Sequence, residues 1–326
     1  MKRREFILAL GGAAASWPLV AQAQQEPVVI GFLHSGSADD QVNLVAAARQ
    51  GLKEAGYSEG QNIRIEYRWA EGSYDRLPGM AAELVERRVA LIIAAGGTDP
   101  ARAAKAATST IPIVFVSAAD PVRAGLVASL SRPDGNVTGI NMIGAMLEAK
   151  RLELLRELVP QASIIGVLIN PKYPAAKIQT QEVQEATARL GVKLVLLNAS
   201  TEQEVDAAFA ALVEQKAGAV LACNDPLFGS YREKLAALAL RHKLPAMSFR
   251  REFAQVGGLL SYGAVFEESY RQAGVYAGRI LKGAKTTDLP VMQPTKFEMV
   301  VNLKTAKALG LAVSESFLLR ADQIIE

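Results

Sequence analysis

Two loops of this chain carry the residue types that hold small charged molecules. The first, Gly96-Gly97-Thr98-Asp99-Pro100, follows an apolar run at 90–95. Two glycines let backbone approach a bound group, and Thr98 or Asp99 can cap a helix whose free N–H groups suit a carboxylate. Helix capping alone would also account for Thr98. The second loop, Asn224-Asp225-Pro226, follows the apolar run 219–223. Asp225 can face a cleft and hold an ammonium, or it can cap a helix that has Pro226 at its first position. Asp120-Pro121 has the same form and reads as a cap. Ser35, Trp69, Ser117, Arg250 and Tyr262 also stand at or just after the ends of apolar runs. Trp69 and Tyr262 could offer flat faces to a ring, or could belong to the core.

Catalytic spacing is missing. The chain has no G-x-x-x-x-G-K, no G-x-G-x-x-G after a strand, no H-E-x-x-H and no G-x-S-x-G. It has 2 histidines. His34 could join one of several serines in a triad, but no spacing points there, and His242 shares a helical face with Leu235, Leu238 and Ala239. The 1 cysteine, Cys223, excludes an internal disulfide and a cysteine-based zinc site. Its apolar surroundings make it an inert core thiol. These residues suit binding without turnover, so an enzyme is not expected, nor a cofactor or a metal.

The elements that must position these loops are short and alternate. Apolar runs at 28–33, 63–67, 90–95, 111–116 and 137–140 read as strands, separated by helical patterns near 41–55, 75–88, 100–107 and 121–130. Their continuous apolarity means strands buried on both faces, as in a parallel sheet covered by helices. The rhythm restarts with strands at 164–169, 193–197, 219–223 and 246–249 and helices near 175–190, 202–216 and 229–242. A further strand at 257–262, a helix near 266–282, a last strand at 297–302 and a short helix from Lys304 are too few for a third domain. The fold class is therefore α/β, with two doubly wound Rossmann-like lobes joined by a hinge of several crossings. We expect lobe 1 to comprise 27–142 plus 263–288, and lobe 2 to comprise 143–262 plus 289–326. The polar loops then lie where open α/β sheets bind ligands, beyond the carboxyl ends of the strands.

Residues 1–23 read as a signal peptide. Lys2, Arg3 and Arg4 precede a short apolar core, and Pro18 precedes Ala21-Gln22-Ala23. The core is too short to span a membrane, which takes about 20 residues. Arg3-Arg4 followed by Phe6 is similar to a twin-arginine signal, with Lys2 where that motif has Ser or Thr, so the route stays open between twin-arginine and Sec. No cysteine near Ala23 offers a lipid anchor, and the periplasm is the expected destination. Cleavage takes the formal charge from +3 to +1, with 33 basic residues against 32 acidic ones. A balance so near neutral provides no footprint for nucleic acid.

The run from Gly96 to Ala101, Ile111-Pro112-Ile113-Val114-Phe115 with Asp120-Pro121-Val122, and Gly135-Asn136-Val137-Thr138-Gly139 carry a resemblance. So do the leucines of 152–158 followed by Pro160, Asn224-Asp225, Gly278-Arg279-Ile280-Leu281-Lys282-Gly283 and Leu289-Pro290-Val291. Together they resemble the ABC-transporter substrate-binding family that includes tryptophan- and phenylalanine-binding members. That resemblance implies a type I periplasmic binding protein fold, a hinge of three crossings, and a small solute held between the lobes. It also implies an amino acid as the solute class, aromatic ones included, delivered by a monomer to an ABC permease with an ATPase partner. It carries the ligand role to Ser35, Thr98, Ser117, Asn224 and Asp225. Phe228 and Arg250-Arg251-Glu252-Phe253 depart from the family pattern on the expected second-lobe wall, which leaves an anionic or bulkier solute open. A sensor of the same fold that signals to a membrane receptor kinase is the alternative to transport.

Overall fold

A computed structural model describes residues 26–144 and 147–326 of the chain. The expected signal peptide lies outside the described residues. The first lobe runs β1 (Val28–His34), α1 (Val42–Glu54), β2 (Ile63–Trp69), α2 (Leu77–Glu86), β3 (Ile92–Ala95), α3 (Thr98–Ala107), β4 (Ile113–Ser117) and β5 (Val137–Asn141). Its five strands are parallel, in the order β2-β1-β3-β4-β5.

The second lobe begins with α4 (Glu148–Leu158), β6 (Ile164–Ile169), α5 (Ala176–Leu190), β7 (Lys193–Asn198), α6 (Glu202–Glu214) and β8 (Ala219–Ala222). It continues with α7 (Pro226–Ser230), α8 (Arg232–Arg241), β9 (Ala246–Ser248), α9 (Arg251–Gln255) and β10 (Leu260–Ala264). The chain returns to the first lobe with α10 (Phe266–Leu281). It then completes the second lobe with β11 (Phe297–Asn302), α11 (Leu303–Ala308), α12 (Glu315–Leu318) and β12 (Gln323–Ile325). The second sheet has seven strands in the order β12-β11-β10-β9-β8-β6-β7, parallel except where β11 meets β10.

Burial explains the continuous apolar runs. On one face of the first sheet Ile30, Ile93 and Val114 pack against α1 and against Tyr270, Ala273 and Ala277 of α10. On the other face Leu33, Ile92 and Phe115 pack against α2 and α3. The second sheet is covered likewise, by Leu152, Leu155 and Val183 on one side and by Phe209, Leu212 and Leu235 on the other.

Helices α1 and α10 touch at backbone distance. A Cβ placed on Gly51 would meet the Arg271 carbonyl oxygen at 1.8 Å, and one on Gly274 would meet that of Ala48 at 2.0 Å. Two glycines thus let the returning helix lie flat on the first.

Four expectations need correction. The stretch 121–130 forms turns rather than a helix, because Gly125 takes a φ of 71° and Asp120 accepts the Val122 N–H at 2.8 Å in a tight turn. The strand placed at 257–262 starts later, at Leu260, after a glycine turn at Gly257 and Gly258. The strand β11 is not the last: β12 pairs with it in parallel at the sheet's edge. Finally, the chain leaves the first lobe after 292 rather than after 288. Leu289 accepts the Thr138 hydroxyl at 2.6 Å, Val291 donates to the Leu130 carbonyl at 2.7 Å, and Met292 bridges to Ile140.

Candidate functional site

Both sheets reverse strand order at a switch point, between β1 and β3 in one lobe and between β6 and β8 in the other. Loops diverge there and leave a crevice. The two crevices face each other across a cavity. His34, Gln41, Gly96, Gly97 and Tyr270 line it from the first lobe, with Phe266 of α10 beside them. Tyr173, Asn224, Pro226, Phe249 and Arg250 line it from the second.

Backbone geometry sets the first wall. His34 is the last residue of β1, registered between Trp69 of β2 and Ala95 of β3. Gly96 and Gly97 follow at φ 82° and 118°, a region that suits glycine alone. A Cβ on Gly96 would also lie 2.6 Å from the His34 ring. The two glycines turn the chain from β3 into α3 within two residues. The His34 imidazole accepts the Gly36 N–H at Nδ1 (2.8 Å) and meets the Tyr270 hydroxyl at Nε2 (2.9 Å). No serine reaches it among the described residues, since Ser35 Oγ donates to the Gly96 carbonyl.

Thr98 and Ser117 sit just behind this wall. Both are fully buried, and their hydroxyls bond each other at 2.8 Å. Ser117 Oγ also accepts the Ala119 N–H at 3.3 Å. Their hydroxyls therefore serve the loops that form the wall, and neither side chain belongs to the lining. Trp69 is likewise behind it, 5.1 Å from the His34 ring and packed on Phe32 and Tyr67.

A buried ion pair builds the second wall. Glu148 and Arg151, i and i+3 on α4, lie 3.0 Å apart and are almost wholly inaccessible. Glu148 Oε1 accepts the Asn224 N–H at 2.7 Å and the Gln179 amide at 3.2 Å, which fixes the loop after β8. Arg151 donates to the Gly144 carbonyl at 3.0 Å and to the Tyr262 carbonyl at 2.7 Å. The Tyr262 ring stacks against Phe297 and packs on the core of the second lobe, and it is not among the residues lining the cleft. Asn224 reaches the lining, and its buried Nδ2 has no hydrogen-bond partner.

Asp225 is the N-cap of α7. Its Oδ1 accepts the Leu227 N–H at 2.7 Å and its Oδ2 the Asn170 amide at 3.2 Å. Burial raises its pKa to about 7, and Asp99 across the cleft adds to the rise. Asp99, in the first turn of α3, is itself raised by burial to about 6. The hydroxyl of Tyr173, whose pKa is raised by burial and then by these two carboxyls, is buried with no partner. This end of the cleft holds two carboxyls and no paired cation among the described residues.

At the other end the only charge on the lining is Arg250. Glu252 holds its Nη2 at 2.6 Å and its Nε at 3.2 Å, and its guanidinium lies over the Phe266 ring at 4.9 Å. Phe228, expected on the same wall, instead packs inside the second lobe. Cys223 is buried and free, and burial pushes its thiol well above the ordinary range.

The sequence reading missed Tyr270, Phe266 and Gln41 as lining, whereas Tyr173 and Phe249 belong to the loops 170–173 and 249–250 that follow apolar runs, where ligands are expected. Phe266 and Tyr270 are spaced i and i+4 at the start of a helix, a pair that faces one side, and that spacing was the available signal.

The lobes meet around this space. Arg232 of the second lobe lies 3.2 Å from Asp40 of the first. A Cβ on Gly97 would lie 3.7 Å from Tyr173 and 3.8 Å from Pro226. No helix among the described residues is long and apolar enough to cross a membrane.

Comparison with known proteins agrees with this geometry. A tyrosine-binding protein from Clostridioides difficile (strain R20291) is 32% identical over 260 residues, 80% of this chain and 74% of the relative. A Streptococcus pneumonia protein solved in complex with L-Trp is 26% identical with a TM-score of 0.83, covering 92% of this chain and 100% of that one. A ligand-free, open substrate-binding protein from Clostridium difficile is 27% identical over 91% of this chain and 99% of its own, yet the TM-score is 0.66. At equal identity and coverage the ligand-bound structure overlays better than the open one, in keeping with lobes that meet. The family model for ABC transporter substrate binding protein matches residues 8–325, and the chain belongs to that family.

Proposed function

We propose that this protein captures an aromatic amino acid in the periplasm and, as a monomer, hands it to an ABC permease with its ATPase. One observation carries the reading. Four aromatic rings (Tyr173, Phe249, Phe266 and Tyr270) share a lining that carries the Arg250 guanidinium, and the buried Asp225 carboxyl stands just behind the lining residues Asn224 and Pro226. A zwitterion with a flat side chain matches that set. The names of the tyrosine-binding relative and of the L-Trp complex support the same class. A ligand that touches both walls favours the closed lobes by its differential affinity, and the closed shape is what a permease can read.

Calorimetry on ligand-stripped protein with L-tyrosine, L-tryptophan and L-phenylalanine tests this. At least one should bind at one site per monomer and be recovered unchanged. At a hundred times its dissociation constant it should add about 2.7 kcal/mol of stability. Recovery of a chemically altered product, or no binding by any of the three, would overturn the proposal.

A further inference from the structure

His34 is fully buried, and both of its ring nitrogens are engaged. A backbone amide can only donate, so Nδ1, which takes the Gly36 N–H at 2.8 Å, carries no hydrogen. Burial depresses the pKa of the ring to about 3, with Arg250 lowering it further and Asp40 acting the other way. The imidazole is therefore neutral, and its single proton sits on Nε2. That proton points at Tyr270 Oη, 2.9 Å away. The histidine donates and the tyrosine accepts. A phenol has one hydrogen, and with its oxygen accepting from His34 that hydrogen is left to donate elsewhere. Tyr270 lines the cavity, so the free direction is toward the ligand.

One helical turn before Tyr270 on α10 is Phe266, and the Arg250 guanidinium lies over that ring. Glu252 occupies its Nε and Nη2, while Nη1 has no hydrogen bond among the described residues. A neutral donor from the first lobe and a charged donor from the second thus stand together on the lining. A carboxylate has two oxygens and accepts only.

We propose that Tyr270 and Arg250 form the subsite for the ligand's carboxylate, with His34 as the positioning residue that fixes the tyrosine as a donor. The proposal rests on the amino-acid reading above. It moves the carboxylate away from Thr98 and Ser117, whose buried side chains lie behind the lining. It also makes one functional group of the ligand a tie between the lobes.

The test compares L-tyrosine with L-tyrosinamide, and L-tryptophan with its amide, by calorimetry on the full mature chain. The parent should prefer the acid strongly. Tyr270→Phe keeps the packing and should weaken acid binding by about 10- to 100-fold while changing amide binding by no more than about threefold. Thermal unfolding confirms that the variant is folded. Nitrogen NMR of His34 supplies a readout that packing alone would not move: the ring should show the neutral form with the proton on Nε2, unchanged from pH 5 to 8. An unaltered acid-to-amide ratio in Tyr270→Phe, or a proton on Nδ1, overturns the subsite alone. Failure of the parent to bind any of the acids removes the amino-acid reading and the subsite with it.

Discussion

Asp225 is a cap with a charge to spare. Burial holds its pKa near 7, well above the ordinary carboxyl value, with Asp99 raised to about 6 close by. A raised carboxyl pKa means that the folded state binds the proton more tightly than the unfolded one, so this contribution to stability is largest at low pH. It declines as pH rises from about 4 through 7 and is level above that. Ligand binding should run the other way where Asp225 receives the ligand's ammonium, because that contact needs the ionised form. Affinity should climb by up to about tenfold per pH unit below 7 and flatten above 8. Calorimetry from pH 5 to 8 reads that slope. Asp225→Asn keeps a good helix cap but should flatten the slope and weaken binding at pH 8 by about 30-fold. Parent-like affinity in that variant would return Asp225 to a capping role only. Asn224, Asp225 and Arg250 could be singled out in the sequence because each stands within two residues of the end of an apolar run. Tyr270 offered only its i, i+4 spacing from Phe266, because it sits on a helix that returns from far along the chain, and its partner His34 is 236 residues away.

Helices α1 and α10 show how much an element can depend on what its residues lack. Alanine normally improves a helix over glycine by about 1 kcal/mol. At Gly51 the added methyl would strike the Arg271 carbonyl, a backbone atom that cannot turn aside. Gly51→Ala should therefore lower stability by about 1–3 kcal/mol as the helices are forced apart. Gly79 in α2 has open space where a methyl would go, so Gly79→Ala should raise stability by up to about 1 kcal/mol. Chemical denaturation of the two variants should give opposite signs, and a gain in stability at Gly51 would refute the close approach. Most of the strands were legible in the sequence because burial on both faces leaves an unbroken apolar run. The turns at 121–130 were not, since Leu126, Val127 and Leu130 imitate a helical stripe while Gly125 and Asp120 fold the backbone back. The strand β12 was missed because three residues pairing along one edge leave almost no pattern.

At the scale of the whole molecule, two lobes must separate to admit a ligand and meet to hold it. Asp40 and Arg232 join them 3.2 Å apart, and neither residue lines the cavity. An ion pair with this much solvent access is worth at most about 1 kcal/mol. Arg232→Ala should then raise the dissociation constant about two- to fivefold, mainly through faster release. Asp40→Arg combined with Arg232→Asp should restore part of the loss. Stopped-flow release rates check this, and no change in either variant would show that the pair does not hold the lobes closed. The two-lobed plan was readable from the repeated rhythm of strands and helices, whereas the exact crossings depended on side chains such as Thr138 reaching across to Leu289. The return of α10 to the first lobe has a further consequence, for the order in which the protein can be made. All five strands of the first sheet have emerged by Asn141, but one face is covered only by α1 until the residues from Phe266 onward arrive. A ribosome has therefore passed the whole of β6 through β10 before the lobe it began with can close its core. The second lobe waits longer still, for β11 and β12, so the half that is begun second is also closed second.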